Sequence, residues 1–212
     1  MEPREASARE EMVWACQKLA AAGLIAASDG NVSCRLDKGR YLITPSGVPK
    51  VEAKSEDFLV IDETGAVISG DGKPSSEWRM HLLVYERRSD VHAVVHAHPP
   101  LLTAMTLAGV DFPADVFPEV WVTVGLVPTV PYATPSTEEV PRSIMPFVEA
   151  HQAVLLARHG SLTMGRDIRQ AYYRLEKLEH AAKSLLAACI FGGRLPEPLP
   201  VDQLEKLTLL FS

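Results

Sequence analysis

Cysteine is scarce in this sequence, and its distribution excludes two kinds of structural site. The three cysteines, Cys16, Cys34 and Cys189, lie far apart, and no two of them form a CxxC pair. A disulfide framework and a cysteine-based zinc site both depend on paired or closely spaced cysteines. We therefore expect three small, buried hydrophobic side chains in a reducing compartment.

An excess of positive charge and a long apolar run are also absent. The 27 acidic residues outnumber the 21 lysines and arginines, which gives a formal net charge of −6. This balance argues against a broadly basic surface that binds nucleic acid. No apolar run reaches the roughly 18 residues that a membrane span requires. Residues 1–5 are polar, unlike the start of a secretion signal, so we expect a cytoplasmic protein without a membrane partner.

Length and patterning predict one domain of mixed α/β class. A chain of 212 residues is long enough for one full core. Its composition, 47% hydrophobic and 23% charged, is ordinary for a globular protein. We predict a single domain over residues 1–212, with a core at about 7–193 and a C-terminal tail at 194–212. Strands and helices mix without strict βαβ alternation, so we expect a largely antiparallel central sheet with helices on both faces.

Local signals predict where several elements begin and end. Residues 7–10 form a capping box that opens a helix through about Leu19. Asp167 and Gln170 form a second box, and the long helix after it ends at Gly192 and Gly193. Further helices are predicted at about 74–87 and 101–108, and strands at 41–44, 58–61, 66–68, 91–98, 120–124 and 153–157.

Three histidines and a glutamate form a split set of metal-type ligands. His96 and His98 are two residues apart in a β-branched run, and strand periodicity puts such residues on one face. His159 ends a buried strand beside a glycine that lets the backbone turn. Glu77 lies in the first turn of a predicted helix, whose dipole favours its anion, although helix capping also explains it. This set suits a divalent metal with an open position and predicts an enzyme.

The remaining histidines are weaker candidates for a metal site. His92 shares the strand parity of His96, so it could be a fourth ligand or could hold a ligand in place. His81, His151 and His180 lie in helical or loop contexts. We expect structural or surface roles for these three.

Short polar turns provide a second group of candidate residues. Backbone N–H groups in such turns, and at the start of a helix, can bind phosphate without a basic residue. Ordinary turn formation and helix capping explain any one of them equally well. The residues are Gly30 and Asn31, Ser46 and Gly47, and Ser75 and Ser76. The pair Ser75 and Ser76 gains weight because it directly precedes Glu77.

Taken together, these motifs resemble the class II aldolase/adducin family. The matching segments occur in the family order and span roughly residues 10 to 190. Any one of them would be weak, whereas the set is specific. They are residues 30–33, 42–47, 74–81, 93–98, 131–134 and 159–160.

The resemblance implies a fold, a cofactor and a set of site residues. It implies a class II aldolase fold with Zn²⁺ held by His96, His98 and His159, although imidazoles also accept Mn²⁺, Co²⁺ or Fe²⁺. Glu77 would be a ligand that can swing away and act as acid or base. The resemblance also implies a homotetramer with active sites between subunits. The substrate phosphate would be bound by Asn31, Ser46, Gly47, Ser75 and Ser76.

One segment departs from the family pattern. The family's aldolase uses a tyrosine from a neighbouring subunit as proton donor, whereas residues 117–121 contain Glu119 and no tyrosine. A carboxylate can transfer protons when its pKa is raised. Glu119 is therefore the second candidate catalytic residue beside Glu77, and the departure leaves the aldehyde and the reaction type open.

The implied activity is reversible cleavage of a phosphorylated ketose to dihydroxyacetone phosphate and a short aldehyde, through a metal-stabilised enediolate. A decarboxylase of a phosphorylated oxo sugar acid would leave the same kind of intermediate. An L-ribulose-5-phosphate 4-epimerase fits less well, since the family epimerase carries an aspartate at Glu77, and a methylthioribulose-phosphate dehydratase is more distant. The non-enzymatic alternative is an adducin-like interaction module, against which the three histidines argue.

Overall fold

An eight-stranded sheet forms the centre of the computed structural model, which describes residues 3–211. Its order is β4-β3-β2-β1-β5-β8-β7-β6, and every neighbouring pair is antiparallel except β6 and β7. The predicted class, a mixed α/β domain with a largely antiparallel sheet, is confirmed. The strands are β1 Asn31–Asp37, β2 Arg40–Ile43, β3 Leu59–Ile61, β4 Val67–Ser69, β5 Ala93–Ala97, β6 Thr129–Val130, β7 Ala153–Leu156 and β8 Gly160–Gly165.

Helices cover both faces of this sheet, as predicted. Because side chains alternate along a strand, Val95 of β5 enters one hydrophobic cluster and Val94 enters the other. The first cluster contains residues of α1, α3, α4 and α6, and the second contains residues of α2 and α5. The helices are α1 Pro3–Ala21, α2 Trp78–Arg87, α3 Pro100–Ala108, α4 Pro118–Thr123, α5 Glu139–Val148, α6 Ile168–Gly192 and α7 Val201–Phe211.

The long helix α6 begins and ends where its sequence predicts. Asp167 is its N-cap, and the side chain accepts a hydrogen bond of 2.7 Å from the backbone N–H of Gln170. Gly193 follows the helix in the left-handed conformation, with φ of 70°, which a residue without Cβ adopts without strain. The helix packs against β5, which contains His96, and against β8, which directly follows His159.

The predicted start of α1 is wrong. The helix begins at Pro3, so Ser7 lies inside it and cannot be its N-cap. Proline suits the first turn of a helix because its missing N–H would have no partner there. Two residues beyond it, Glu5 pairs with Arg9 at 2.9 Å.

The strand predicted at residues 120–124 is also wrong, since this segment forms α4 and its end. Pro118 occupies the first turn of that helix, and Val120 is buried in the first hydrophobic cluster. The β-branched composition favours a strand only weakly, and tertiary packing overrides such preferences. The change matters because Glu119 lies on this helix.

Helix α7 lies in the segment predicted as a tail and packs against α4. Trp121 Nε1 donates to Thr208 Oγ1 at 3.0 Å across this contact. The division into a core at 7–193 and a tail at 194–212 stays a prediction. Within residues 3–211, no helix combines the length and apolar character needed to cross a membrane.

Candidate active site

Two adjacent strands bring the three histidines together. His96 is near the end of β5 and His98 follows that strand, while His159 lies in the turn between β7 and β8. Because β5 pairs with β8, these positions meet at one edge. The ring centroids are 4.7–5.0 Å apart, and one ligand nitrogen from each ring lies within 4.8 Å of the others.

Contacts on the far side of two rings orient their nitrogens. His96 Nδ1 lies 2.9 Å from the carbonyl oxygen of Ser161, to which it donates. His98 Nδ1 faces the carboxylate of Asp29 at 3.5 Å. Such contacts keep the proton on Nδ1 and leave Nε2 with a free lone pair. The two Nε2 atoms, 3.0 Å apart, therefore face a common centre.

Glu77 approaches this centre from the start of α2. The sequence predicted Glu77 in the first turn of this helix, but it is the N-cap residue, one position earlier. Its side chain makes no capping hydrogen bond. Its Oε2 lies 3.0 Å from His96 Nε2, and its Oε1 lies 3.6 Å from His159 Nε2. Oε1 is buried and has no hydrogen-bond partner among the described residues.

The protonation states of these groups suit a metal ion. Burial, followed by the nearby His96, lowers the pKa of His98 and lowers that of His159 to about 4, so both rings are neutral near pH 7. Burial raises the pKa of the Glu77 carboxyl, but His96, His159 and Asn31 together lower it to well below its usual value. Neutral imidazoles and a carboxylate with one unpartnered oxygen are donors that fit a divalent transition metal.

A cavity of about 320 Å³ opens beside the metal-type ligands. Its wall contains Glu77, His98 and His159. It also contains all the residues predicted to contact phosphate, namely Asn31, Ser46, Gly47, Ser75 and Ser76. The fold therefore brings the two predicted groups of site residues to one place.

The candidate phosphate-binding groups differ in detail from those expected. The backbone N–H groups of Ser46 and Ser75 donate to the carbonyls of Lys73 and Thr44, at 2.9 and 3.0 Å. Their hydroxyls, together with the backbone N–H groups of Gly47 and Ser76, remain as the donors that can reach an anion. Gly47 has φ of 78°, which favours glycine at this turn.

The cavity wall also contains Lys50, which the sequence patterns did not single out. Its side chain is buried, and Nζ donates to the carbonyl oxygens of Ser28 and Val48 at 2.8 and 3.1 Å. An ammonium group has three N–H donors, so one remains for a ligand in the cavity. Burial lowers the pKa of this lysine. Its only sequence signal is closeness to the turn at Gly47, which is too weak to assign a role.

Two other candidates lie away from this cluster. His92 precedes β5 and is four positions before His96, which corresponds to about 13 Å along an extended chain. It therefore does not join the three histidines. Glu119 is exposed on α4 and is not part of the cavity wall. In the described chain, Glu77 is thus the only one of the two predicted catalytic residues at the cavity.

Comparison with known families gives a match over most of the chain. The model of the class II aldolase and adducin N-terminal domain matches residues 10–186. The chain belongs to this family. The resemblance predicted from the sequence motifs is therefore confirmed, as is the prediction of an enzyme: the chain is a class II, metal-dependent aldolase by family.

Individual relatives of this class II aldolase are named for different activities. A 5-deoxy-D-ribulose 1-phosphate aldolase of Bacillus thuringiensis serovar kurstaki is 33% identical over 205 residues, covering 96% of this chain and 95% of that protein. A 3-oxo-tetronate 4-phosphate decarboxylase of Pectobacterium atrosepticum is 35% identical over 208 residues, covering 96% and 94%. A solved L-fuculose 1-phosphate aldolase has a TM-score of 0.88 and 33% identity, covering 97% and 96%.

Proposed function

We propose that this enzyme reversibly cleaves a phosphorylated ketose, similar to L-fuculose 1-phosphate, into dihydroxyacetone phosphate and a short aldehyde. The observation that carries the proposal is the shared cavity, which places metal-type ligands beside polar turns and a buried lysine. Two relatives are named as aldolases of sugar 1-phosphates, which supports the choice of substrate class.

In this proposal His96, His98 and His159 hold the metal ion, and Glu77 is a fourth ligand that can be displaced. We propose Zn²⁺ because imidazole nitrogen with one carboxylate is a common zinc ligand set; Mn²⁺, Co²⁺ and Fe²⁺ are the alternatives. The bound ion would supply Lewis-acid stabilisation of the negative charge that develops on the substrate carbonyl oxygen.

The chain's own residues would bind the phosphate and move the protons. Ser46, Gly47, Ser75, Ser76 and Asn31 would bind the phosphate, and this remote binding energy would hold the reacting carbons in place. As the C–C bond breaks, its electron pair stays with the carbonyl fragment, whose carbon must then gain a proton. Glu77 Oε1 has no hydrogen-bond partner among the described residues. The carboxylate would first take up a proton from solvent when the substrate displaces it, and would then deliver that proton to the carbon as general acid.

Glu119 would take the proton from the hydroxyl of the departing aldehyde. It does not line the cavity of its own chain, so this role requires a neighbouring subunit. We therefore propose a homotetramer in which active sites lie between subunits and Glu119 of one subunit reaches the site of the next. Its exposed position on α4 is compatible with such a contact.

The proposed location is the cytoplasm, and the proposed partner is a phosphorylated sugar. Cys16 and Cys34 are buried and the three cysteines are free thiols, which is typical of a reducing compartment. The acidic net charge of −6 does not favour nucleic acid as a partner.

A decarboxylase of a phosphorylated oxo sugar acid is the second candidate. Glu119 in place of the expected tyrosine favours it, because loss of carbon dioxide needs no group at an aldehyde oxygen. The decarboxylase from Pectobacterium atrosepticum, at 35% identity, adds support. The same cavity would serve, since decarboxylation also leaves negative charge next to a carbonyl.

A product assay distinguishes the two candidates. The metal-loaded protein would be incubated with L-fuculose 1-phosphate, 5-deoxy-D-ribulose 1-phosphate and 3-oxo-tetronate 4-phosphate, and dihydroxyacetone phosphate and carbon dioxide would be quantified. We expect dihydroxyacetone phosphate from at least one ketose, and none from a His96→Ala control, which should also lose its metal. Decarboxylation of the oxo acid also leaves dihydroxyacetone phosphate, so the source of that product decides. Carbon dioxide from the oxo acid with no product from either ketose would establish the second candidate, and no product from any of the three would refute both.

A further inference from the structure

A chain of hydrogen bonds runs from the candidate active site into the core behind it. Asn31 Nδ2 donates to Glu77 Oε2 at 3.3 Å, and Asn31 Oδ1 lies 2.5 Å from His81 Nε2. On the other side of the ring, His81 Nδ1 lies 2.7 Å from Ser33 Oγ. Ser33 Oγ is in turn 2.7 Å from the hydroxyl of Tyr85. All five residues are buried.

Two regular periodicities assemble this network. Glu77, His81 and Tyr85 are four residues apart along α2, so they lie on one face of that helix. Asn31 and Ser33 are two residues apart on β1, so they lie on one face of that strand. The two faces meet, and the groups from helix and strand alternate along the chain of hydrogen bonds.

The carboxylate at one end determines the direction of every bond. Ionised Glu77 can only accept, so the amide of Asn31 must turn its NH₂ group toward Glu77 and its oxygen toward His81. His81 must then carry its proton on Nε2, which leaves Nδ1 as an acceptor. Ser33 therefore donates to His81 and accepts from Tyr85.

The protonation states of the inner residues agree with this direction. Burial lowers the pKa of His81 to about 3, so the ring is neutral and can donate through one nitrogen and accept through the other. Burial raises the pKa of Tyr85 well above its usual value, so the phenol keeps its proton. No carboxylate other than Glu77 takes part in these hydrogen bonds.

We propose that His81 is a positioning residue for Glu77 and acts through Asn31. By fixing the Asn31 amide, it keeps Oε2 of Glu77 hydrogen-bonded and leaves Oε1 free for proton transfer. Without this ring the amide could rotate and present its oxygen to the carboxylate, which would repel Glu77 from its place. The inference rests on the proposed role of Glu77 as the group that moves protons.

The tautomer of His81 tests the network without substrate or metal. In protein labelled with ¹⁵N-histidine, long-range ¹H–¹⁵N spectra distinguish a ring protonated on Nε2 from one protonated on Nδ1. The direction derived above requires the Nε2–H form, assigned by comparison with the His81→Gln spectrum. Observation of the Nδ1–H form would overturn the inference.

Kinetics test the consequence for Glu77. We expect His81→Leu to lower kcat about 10- to 100-fold, the usual range for residues that orient an active-site group, with KM and bound metal nearly unchanged. His81→Gln retains an N–H donor for Asn31 and should recover part of kcat. Tyr85→Phe should lower kcat less than His81→Leu does, because Ser33 can still donate to His81.

A matched core variant separates positioning from stability. Val84→Ala removes a fully buried side chain from the same helix without touching the network. It should lower the Tm as His81→Leu does but leave kcat near the wild-type value. Equal kcat in wild type and His81→Leu would overturn the inference. Should the wild type act on no sugar phosphate, the proposed function fails, and the His81 tautomer still decides whether the network exists as described.

Discussion

Lys50 places a positive charge in a cavity whose wall also contains two carboxylates, those of Asp29 and Glu77. Its bonds to the carbonyls of Ser28 and Val48 connect the turn before β1 to the turn after β2. The same ammonium group can therefore fix the spacing of these two turns and, in the proposed function, attract the substrate phosphate. Charge-assisted hydrogen bonds of this kind are stronger than neutral ones.

Replacement of Lys50 by methionine tests this role. The change keeps an unbranched side chain one atom shorter than lysine and removes its charge. We expect KM for a phosphorylated ketose to rise about 10- to 100-fold, since a hydrogen bond to a charged group contributes about 1.5–3 kcal/mol. Steady-state kinetics and calorimetry with inorganic phosphate would measure it. Lys38→Met, on an exposed turn, is the control. Unchanged phosphate affinity in Lys50→Met would show that the lysine only holds the turns.

The residues that could be predicted from sequence are those whose type and spacing carry chemical meaning by themselves. His96 and His98 are two apart on a strand, and Ser75 and Ser76 precede Glu77 directly. Lys50 and His81 carry no such local signal, because their roles depend on partners elsewhere in the chain, such as Ser28, which is 22 residues from Lys50.

At the scale of the element, helix starts show how a local motif can mislead. The capping box predicted at Ser7 and the one at Asp167 have the same sequence logic, but only Asp167 caps a helix. Ser7 lies within α1 because Pro3 can begin the helix one turn earlier. A motif of this kind identifies a helix reliably only when nothing upstream can extend it.

Alanine substitutions at Asp167 and at Ser7 should change the free energy of unfolding by different amounts. Asp167→Ala removes the acceptor for the Gln170 N–H and should lower the free energy of unfolding by about 1 kcal/mol. Ser7→Ala changes an exposed residue inside a helix and should alter it by less than about 0.5 kcal/mol. Urea denaturation measures both. A similar loss from the two variants would mean that α1 begins at Ser7 after all.

The elements that escaped prediction owe their form to distant contacts. Strands β1 and β8 were not predicted, although both lie next to β5 in the sheet. β8 is a six-residue strand that contains two glycines and Ser161, so its composition does not favour a strand. Hydrogen bonding to β5 on one side and to β7 on the other stabilises this strand despite its composition.

At the scale of the whole molecule, the mixture of strands and helices without strict βαβ alternation predicted the fold class and the helices on both faces. The family resemblance implied one arrangement in which six motifs spread over the chain come together. The assembly is a different matter. Contacts between subunits leave no periodic signal in a single chain, so the proposed homotetramer and the position of Glu119 depend on the resemblance alone.

Mixed oligomers test whether Glu119 acts on a neighbouring subunit. We expect Glu119→Gln to keep its metal and lose about 10²–10⁴-fold in kcat, as for a general acid or base, and His96→Ala to be inactive. If the two variants are unfolded and reassembled together, random mixing should restore about one site in four. The summed activity of the two separate variants is the control. No gain on mixing would place Glu119 outside the neighbouring site.

His96 and most of the candidate phosphate-binding groups are carried by different kinds of structure. His96 belongs to β5, which is paired on both sides by β1 and β8, so its replacement would disturb the middle of the sheet. Ser46, Gly47 and Ser136 lie in turns at the cavity wall, outside any strand or helix. Turns tolerate substitution far better than central strands. Substitutions in these turns can therefore change the substrate on this scaffold while the reactive centre stays in place, and relatives of similar sequence are named both as aldolases and as decarboxylases.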